Sequence, residues 1–444
     1  MNTPHERLEA LGTAIPELLL PESGTDLEAW AVIACDQFTQ DRAYWESVRA
    51  RVARAPSTLS LILPEVYLED GDRKERTERV RSSMREYLDG GTFAPGLRSA
   101  VYIERGSPGH PRRRGIVLAV DLERYEWQVG TRPLIRATEG TVPERIPPRM
   151  EIRRGAPLEV PHILLLVDDE ERRLIEGLGE RASARPPLYS TPLMIGAGSI
   201  RGWALDREED WAFMADGLER LAARAAERYG VSGGDPFLYA VGDGNHSLAT
   251  AKAVWDEYKA AHVAEPGLMD HAARWALVEV ENIYDEGIDF EPIHRAVFGV
   301  TRSELADALS SLPGFSIEPA PGPAELERLV AEGSPDGNLY GLVSADGCSL
   351  VRTTAAGVAT EGLQALLDAF VAARPGRSID YLHGEEETIR VGLRPGAVGL
   401  ILPPIGKSAL FSTVARSGPL PRKSFSMGDA IEKRFYLECR KLFG

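Results

Sequence analysis

Apolar residues along this chain fall into two rhythms. Short, nearly unbroken apolar runs bounded by Gly, Pro or charged residues read as buried strands. They occupy 18–20 and 30–34 on either side of an acidic turn, then 59–63, 161–167, 236–241 and 276–280. Residues 101–104 and 115–120 predict a hairpin across the polar 105–114 loop, and 188–195 with 199–205 a second one around Gly196-Ala197-Gly198. Elsewhere apolar positions recur every three to four residues, which is the helical period. The helices predicted this way cover 41–54 and 72–88, both heavily charged on one face, then 169–181 and 206–229. The last of these has Asp206 placed to cap its start and Gly230 after its end. A further helix over 247–262 carries Leu248, Ala251, Trp255, Tyr258 and His262 as one core-facing stripe.

Beyond residue 295 the texture changes. Pro313-Gly314 and Pro319-Ala320-Pro321-Gly322-Pro323 mark a composition shift. Helix 301–312, strand 315–318, helix 323–332, a hairpin over 338–353, an apolar strand at 397–403 and an amphipathic helix over 429–442 then follow. A chain of 444 residues is too long for one core. We therefore expect a main region over 1–297 and a smaller α/β domain over 298–444. The fold class is α/β or α+β, with a mixed sheet flanked by helices in the large N-terminal region.

Composition narrows the class. Hydrophobic content of 43% and charged content of 27% are those of a soluble globular protein. A formal charge of −16 offers no general attraction for nucleic acid or anionic membrane, so neither is an expected partner. Cys35, Cys348 and Cys439 are odd in number, far apart and without metal-ligand spacing, which fits a reducing cytoplasm and no disulfide framework. Neither zinc, haem nor flavin is expected. No apolar run approaches 18 residues, and the first residues are not a basic run leading into an apolar segment. The expected location is the cytoplasm. Only seven of the 51 basic residues are lysine, a bias we assign to genome composition.

The strongest chemical signal is Gly242-Asp243-Gly244-Asn245-His246-Ser247, set between the strand at 236–241 and the helix at 247–262. Two glycines allow positive φ and close backbone approach, and the amides at a helix start carry partial positive charge. Such a turn suits a phosphate. Asn245 or Ser247 is placed to cap the helix. Asp243 and His246 put a carboxylate and an imidazole beside the same amides, an arrangement for phosphoryl transfer. The plain alternative is an ordinary Asp-Gly-Asn turn with a satisfied histidine.

Other candidates are weighed against this turn. Arg132, Arg136, Arg145, Arg149, Arg153 and Arg154 form the densest positive stretch of an acidic chain, able to grip phosphate bidentately if it folds near the turn. The competing reading is a surface helix whose arginines pair with Glu139, Glu144 and Glu151. Strand 276–280 ends at Glu281-Asn282, and in a parallel sheet such ends gather on one edge. Glu281, Asn282, Asp243 and His246 would then share a crevice that His294-Arg295 is near enough in sequence to join, although His294 reads equally well as a buried structural histidine. Gly196-Ala197-Gly198 lacks the third glycine and helix of a dinucleotide site. Ile405-Gly406-Lys407-Ser408 ends like a Walker loop, but Ile401 and Pro403-Pro404 spoil it.

The run from Gly242 to Ala251 resembles the Asp-Gly-x-His-[Arg/Ser]-x-x-x-Ala element of the uncharacterised prokaryotic family catalogued as domain of unknown function 1015. Further blocks match in the same order. They are Ile33-Ala34-Cys35-Asp36-Gln37-Phe38-Thr39 with Tyr44-Trp45, and Ile135-Arg136-Ala137-Thr138-Glu139-Gly140-Thr141 with Glu144-Arg145-Ile146-Pro147-Pro148-Arg149. Pro292-Ile293-His294-Arg295 and Leu420-Pro421-Arg422-Lys423-Ser424 complete the set, so the resemblance covers nearly the whole chain. The last block reads otherwise as a polar turn before the helix at 429–442. Locally, the turn is also similar to the phosphate-binding element of the ParB/sulfiredoxin-like superfamily, which includes free-serine kinases. Those relatives usually place arginine after the histidine, where this chain has Ser247.

The resemblance implies that Arg136, Thr138, Glu139, Thr141, Arg145 and Arg149 form a wall of the phosphate site, beside Gly242, Gly244, Asn245 and Ser247. It adds Asp36, Arg422, Lys423 and Ser424 as further site candidates. By the kinase analogy Asp243 or Glu139 is the base and His246 neutralises the transferring phosphoryl group. A nucleoside phosphate and Mg²⁺ are then the expected cofactors. Serine or phosphoserine is the first substrate to try, because members of the family sit near serine-biosynthesis genes. The leading expectation is thus a cytoplasmic, small-molecule-kinase-like phosphotransferase. A non-catalytic nucleotide or metabolite sensor, a phosphate-ester hydrolase and a ParB-like nucleic-acid clamp are the alternatives, and the charge of −16 weighs against the last.

Overall fold

The computed structural model describes residues 2–128, 130–230, 234–355 and 357–443. The chain forms two compact units, Met1–Ile288 with Asp429–Gly444, and Asp289–Gly428.

The first unit is built on a ten-stranded mixed sheet. In chain order its strands are β1 (Thr13–Ala14), β2 (Ala100–Gly106), β3 (Arg113–Asp121), β4 (Tyr125–Glu126), β5 (Ile135–Ala137), β6 (Leu164–Val167), β7 (Tyr189–Leu193), β8 (Gly198–Leu205), β9 (Tyr239–Asp243) and β10 (Trp275–Asn282). They lie in the order β7-β8-β2-β3-β10-β6-β9-β5-β4, with β1 added to β3. The two expected hairpins, β2/β3 and β7/β8, are present and antiparallel. Alternation along the strands explains why the sheet is covered on both faces. Tyr102, Ile116, Leu118, Val278 and Val280 face one core with Leu178, Leu218 and Trp255. Val101, Ile103, Val117 and Leu277 face the other with Trp30, Trp45 and Val48.

The principal helices of this unit are α1 (Arg42–Val52), α2 (Arg73–Asp89), α3 (Ile146–Arg153), α4 (Ile175–Ala182), α5 (Glu208–Tyr229) and α6 (Asn245–Ala261). None of the described helices is long and apolar enough to cross a membrane. Several expectations are corrected. The strand expected at 59–63 is a 3-10 helix, Thr58–Leu61, because the Ser57 hydroxyl accepts from the Leu59 N–H and winds the backbone. Asp169 does not open a helix but accepts from the Arg173 and Leu174 N–H groups, and α4 begins only at Ile175. α5 is not capped by Asp206. It begins after Arg207 with Glu208, Glu209 and Asp210 on the positive end of its dipole.

The largest correction concerns the C-terminus. In place of a helix over 429–442 there is one 3-10 turn, Ala430–Glu432, followed by extended chain. Phe435–Tyr436 pairs with Val32–Ile33, and Arg440–Lys441 with Leu158–Glu159. Phe435, Tyr436, Leu437 and Cys439 are all buried. Burial on every side leaves no solvated helical face, so strand pairing overrides the three-to-four spacing.

The second unit is a seven-stranded sheet of β11 (Phe290–Phe298), β12 (Ser316–Ala320), β13 (Asn338–Ser344), β14 (Gly347–Thr353), β15 (Ser378–His383), β16 (Ala397–Ile401) and β17 (Phe425–Met427). Its order is β12-β14-β13-β16-β11-β15, with β17 on β11. The expected 338–353 hairpin is β13/β14.

Candidate functional site

The turn between β9 and α6 has the geometry its glycines suggest, though only Gly244 bends. Gly242 remains within β9, while Gly244 has φ of +82° and caps α6. The positive φ favours glycine, and a Cβ there would crowd Ile163, lying 3.1 Å from its Cα. The Asp243 Oδ1 accepts the Gly244 N–H at 3.0 Å. Neither Asn245 nor Ser247 caps the helix, as both lie inside its first turn and no side chain bonds the cap. The first-turn N–H groups therefore have no acceptor within the helix. The Asn245 Oδ1 beside them is buried without a hydrogen-bond partner.

Several chain segments converge on this turn. β5 runs parallel to β9, so Thr138 and the loop after it reach the same sheet edge. Thr138 Oγ1 donates to the Val241 carbonyl, and the Val142 N–H donates to His246 Nε2 at 3.2 Å. Glu139 lies in this loop, as does Thr141, whose hydroxyl is buried without a hydrogen-bond partner. From the segment before β6, His162 places Nε2 2.6 Å from Ser247 Oγ and 3.7 Å from the Asp36 carboxylate. From the C-terminal segment, Tyr436 lies 2.8 Å from His162 Nδ1. Lys433, only 5% exposed, brings Nζ to 3.5 Å from the Asp243 carboxylate. Arg149 in α3 is held by Glu65, and Arg145 is exposed on the 3-10 turn just before it.

Arg136, Glu281 and Asn282 lie elsewhere in the first unit. Arg136 sits in β5, but its guanidinium turns back to the Pro133 and Asp235 carbonyls and stacks 4.7 Å over Phe237, at the opposite end of β9. Burial there pushes its pKa down. Glu281 and Asn282 do not reach the turn either. The expectation assumed a parallel sheet, whereas β6 runs antiparallel to β9 and parallel to β10. The end of β10 therefore lies at the far edge, where Asn282 donates to the Asp169 carbonyl and Glu281 lies 2.7 Å from Arg113. His294, Arg295, Arg422, Lys423 and Ser424 belong to the second unit. There the two family-like blocks meet each other, since Arg295 donates to the Lys423 carbonyl and Gln364, and Ser424 Oγ lies 2.7 Å from Thr360 Oγ1. His294 is fully buried, with Nδ1 accepting the Leu402 N–H.

Sequence reasoning did not find His162, Lys433 or Tyr436. His162 stands alone in an apolar run, and the other two lie in the stretch read as a helix. The segment carrying them is pinned by Arg434, which bonds the Pro161 carbonyl at 3.0 Å, Glu438 at 2.5 Å and Glu279. Burial alone would raise the pKa of Glu279, but Arg434 and Arg113 outweigh it and hold the carboxyl below its ordinary range. Burial also drives the phenol of Tyr436 well above its ordinary pKa.

The model of a family described as a protein of unknown function, DUF1015, matches residues 19–370. No curated protein matches the chain. Among solved structures, a free serine kinase in complex with AMP aligns at TM-score 0.39 and 11% identity, over 73% of this chain and 92% of its own. SbnI with a C-terminal truncation from Staphylococcus aureus aligns at 0.35 and 11%, over 70% and 82%. A conserved hypothetical protein from Pyrococcus furiosus aligns at 0.36 and 10%, over 72% and 93%. At these scores the likenesses carry no argument about the chemistry of this chain.

Proposed function

The chain belongs to the DUF1015 family, and we propose that it is an enzyme that binds a nucleotide or another phosphorylated small molecule at the 242–247 turn. The reaction proposed is transfer of a phosphoryl group to or from a small hydroxylated metabolite, with serine the first to test. The observation that carries this reading is the polar lining of the turn. Asn245 Oδ1 and Thr141 Oγ1 are buried without hydrogen-bond partners beside a helix N-terminus, with a buried lysine against Asp243. Buried polar atoms of this kind cost stability unless something bonds them. A phosphorylated ligand supplies acceptors for the helix amides, the Thr141 hydroxyl and Lys433, and a hydroxyl donor for Asn245.

In the forward direction the acceptor hydroxyl oxygen attacks the terminal phosphorus, and the bond from phosphorus to the leaving phosphate oxygen breaks with its electron pair. The hydroxyl proton passes to Asp243, with Glu139 the second carboxylate in reach of the loop. Lys433 replaces the cation that Ser247 does not provide, and together with the helix amides it neutralises the transferring group, while His246 accepts the Val142 N–H and holds the loop that carries Thr141 against the turn. The donor set also fits Mg²⁺. Among the described residues no three His, Cys, Asp or Glu side chains converge, and Mg²⁺ asks for only one or two carboxylates beside phosphate oxygens. Glu139 is the carboxylate that would hold it, and it would neutralise phosphate charge. The proposed working compartment is the cytoplasm.

Asp243→Asn is the test. For an enzyme, turnover falls by on the order of a hundredfold or more while ligand affinity changes only a few-fold. Unchanged turnover would exclude Asp243 as the base, and binding without any turnover in the unsubstituted protein would favour a sensor.

A further inference from the structure

We infer that Ser247 is a fixed hydrogen-bond donor to the phosphate of the ligand, oriented by a relay from the Cys35 amide through Tyr436 and His162, and that it is not a nucleophile. This rests on the phosphate reading of the turn and deepens it by naming how residue 247 serves that site.

The polarity of the relay follows from its first member. The Cys35 backbone N–H donates to Tyr436 Oη at 3.0 Å, so the phenolic oxygen is already an acceptor. Tyr436 is 1% exposed, and its oxygen lies 2.8 Å from His162 Nδ1. If Nδ1 carried the hydrogen, the phenol would accept twice and its own hydrogen would be left to the Cys35 sulfur, a weak acceptor. If the phenol donates to Nδ1, its hydrogen meets the stronger acceptor, a ring nitrogen. The buried phenol keeps its proton, because burial makes ionisation costly.

With Nδ1 accepting, a neutral imidazole carries its hydrogen on Nε2. That nitrogen faces Ser247 Oγ at 2.6 Å, and the Asp36 carboxylate at 3.7 Å favours a hydrogen on the same side of the ring. Ser247 Oγ therefore accepts from His162, and its own hydrogen turns away from the ring. Ser247 is the third residue of α6, so this hydrogen joins the amides of the first turn. In a hydrolytic serine–histidine pair the spacing is similar and the polarity is reversed, with an unprotonated Nε2 ready to take the serine proton. With its hydrogen on Nε2, His162 cannot take the serine proton, so this pair lacks the polarity that a seryl intermediate needs. Tyr436 lies beyond residues 19–370, so a positioning residue of the site comes from outside the part of the chain that the family model matches.

The experiment uses the full chain with ¹⁵N-labelled histidine, the His162 signals being assigned by their loss in His162→Gln. The expected spectrum shows a protonated Nε2 and an unprotonated Nδ1 on His162, and Tyr436→Phe mixes the tautomers. Pyrophosphate and ADP are then titrated into the unsubstituted protein and Ser247→Ala. Loss of a hydrogen bond to a charged group predicts roughly ten- to a hundredfold weaker binding, with Ser247→Thr restoring most of it. A proton on Nδ1 in the unsubstituted protein overturns the relay alone. Unchanged affinity in Ser247→Ala overturns the donor assignment and leaves the phosphate reading standing. Failure of both ligands to bind the unsubstituted protein overturns the donor assignment together with that reading, and covalent labelling of Ser247 by a fluorophosphonate shows that it is a nucleophile after all.

Discussion

Replacing Arg434 by methionine tests whether the C-terminal segment is held in place by its buried charges. Arg434 and both of its carboxylate partners are at most 1% exposed, and its third bond goes to the Pro161 carbonyl next to His162. Removing one member of such a cluster typically costs about 3–5 kcal/mol, because the remaining charges stay buried and unpaired. The cheapest escape for Glu279, which still has Arg113 at 4.0 Å, is to bind a proton. From an ordinary value of 4.5 that costs about 3.4 kcal/mol at pH 7 and about 0.7 kcal/mol at pH 5, at about 1.36 kcal/mol per pH unit. The deficit of Arg434→Met relative to the unsubstituted protein is therefore largest at neutral pH and shrinks on acidification. All seven tryptophans lie in the first unit, so denaturant unfolding followed by tryptophan fluorescence reports that unit alone. A deficit below about 1 kcal/mol at pH 7, or one that does not change between pH 7 and pH 5, would refute the reasoning.

Other expectations follow from single residues. Gly244→Ala forces an alanine to positive φ and crowds Ile163, which costs roughly 1–2 kcal/mol, and calorimetry of the variant should show the loss together with weakened phosphate binding. Arg136→Ala removes a guanidinium from Phe237 and two carbonyls at the far end of β9, so it should lower the unfolding temperature and leave pyrophosphate affinity unchanged. A selective loss of affinity would mean that Arg136 reaches the turn. The buried Glu159 and Glu279 are opposed by desolvation but held below their ordinary pKa by Arg153 with Arg440 and by Arg434 with Arg113. Their contribution is fully present above about pH 4.5 and is lost as pH falls through the lowered values. Acid titration of the tryptophan signal should show the first unit opening below that pH and not between pH 5 and pH 7.

Local signals in the sequence were informative where one element decides its own shape. Asp243-Gly244-Asn245 marks a turn between a strand and a helix because the positive φ of residue 244 favours glycine. The hairpins at β2/β3, β7/β8 and β13/β14 follow from apolar runs separated by short polar loops. Direction was not legible in the same way. Whether β6 runs with or against β9 depends on the long connections between them, and that choice sends Glu281 and Asn282 to the far edge. Arg136 belongs to a matching block, yet a buried aromatic ring and two carbonyls nearby outweigh the pull of the turn. Residues 429–442 were the least legible. Their spacing suits an amphipathic helix, and only pairing with Val32–Ile33 and Leu158–Glu159 shows that they complete the first unit with Lys433 and Tyr436.

Whether the 242–247 turn holds phosphate can be read from a thermal-shift comparison of the full chain with His246→Ala. The ligands are ATP, ADP, CTP, pyrophosphate, phosphoserine and serine, each with and without Mg²⁺. A ligand at a hundred times its dissociation constant stabilises the fold by about 2.7 kcal/mol, enough to move the transition visibly. Phosphorylated ligands should shift the transition, and the shift should be lost in His246→Ala. No shift with any of them, or one that survives the substitution undiminished, would contradict the phosphate reading.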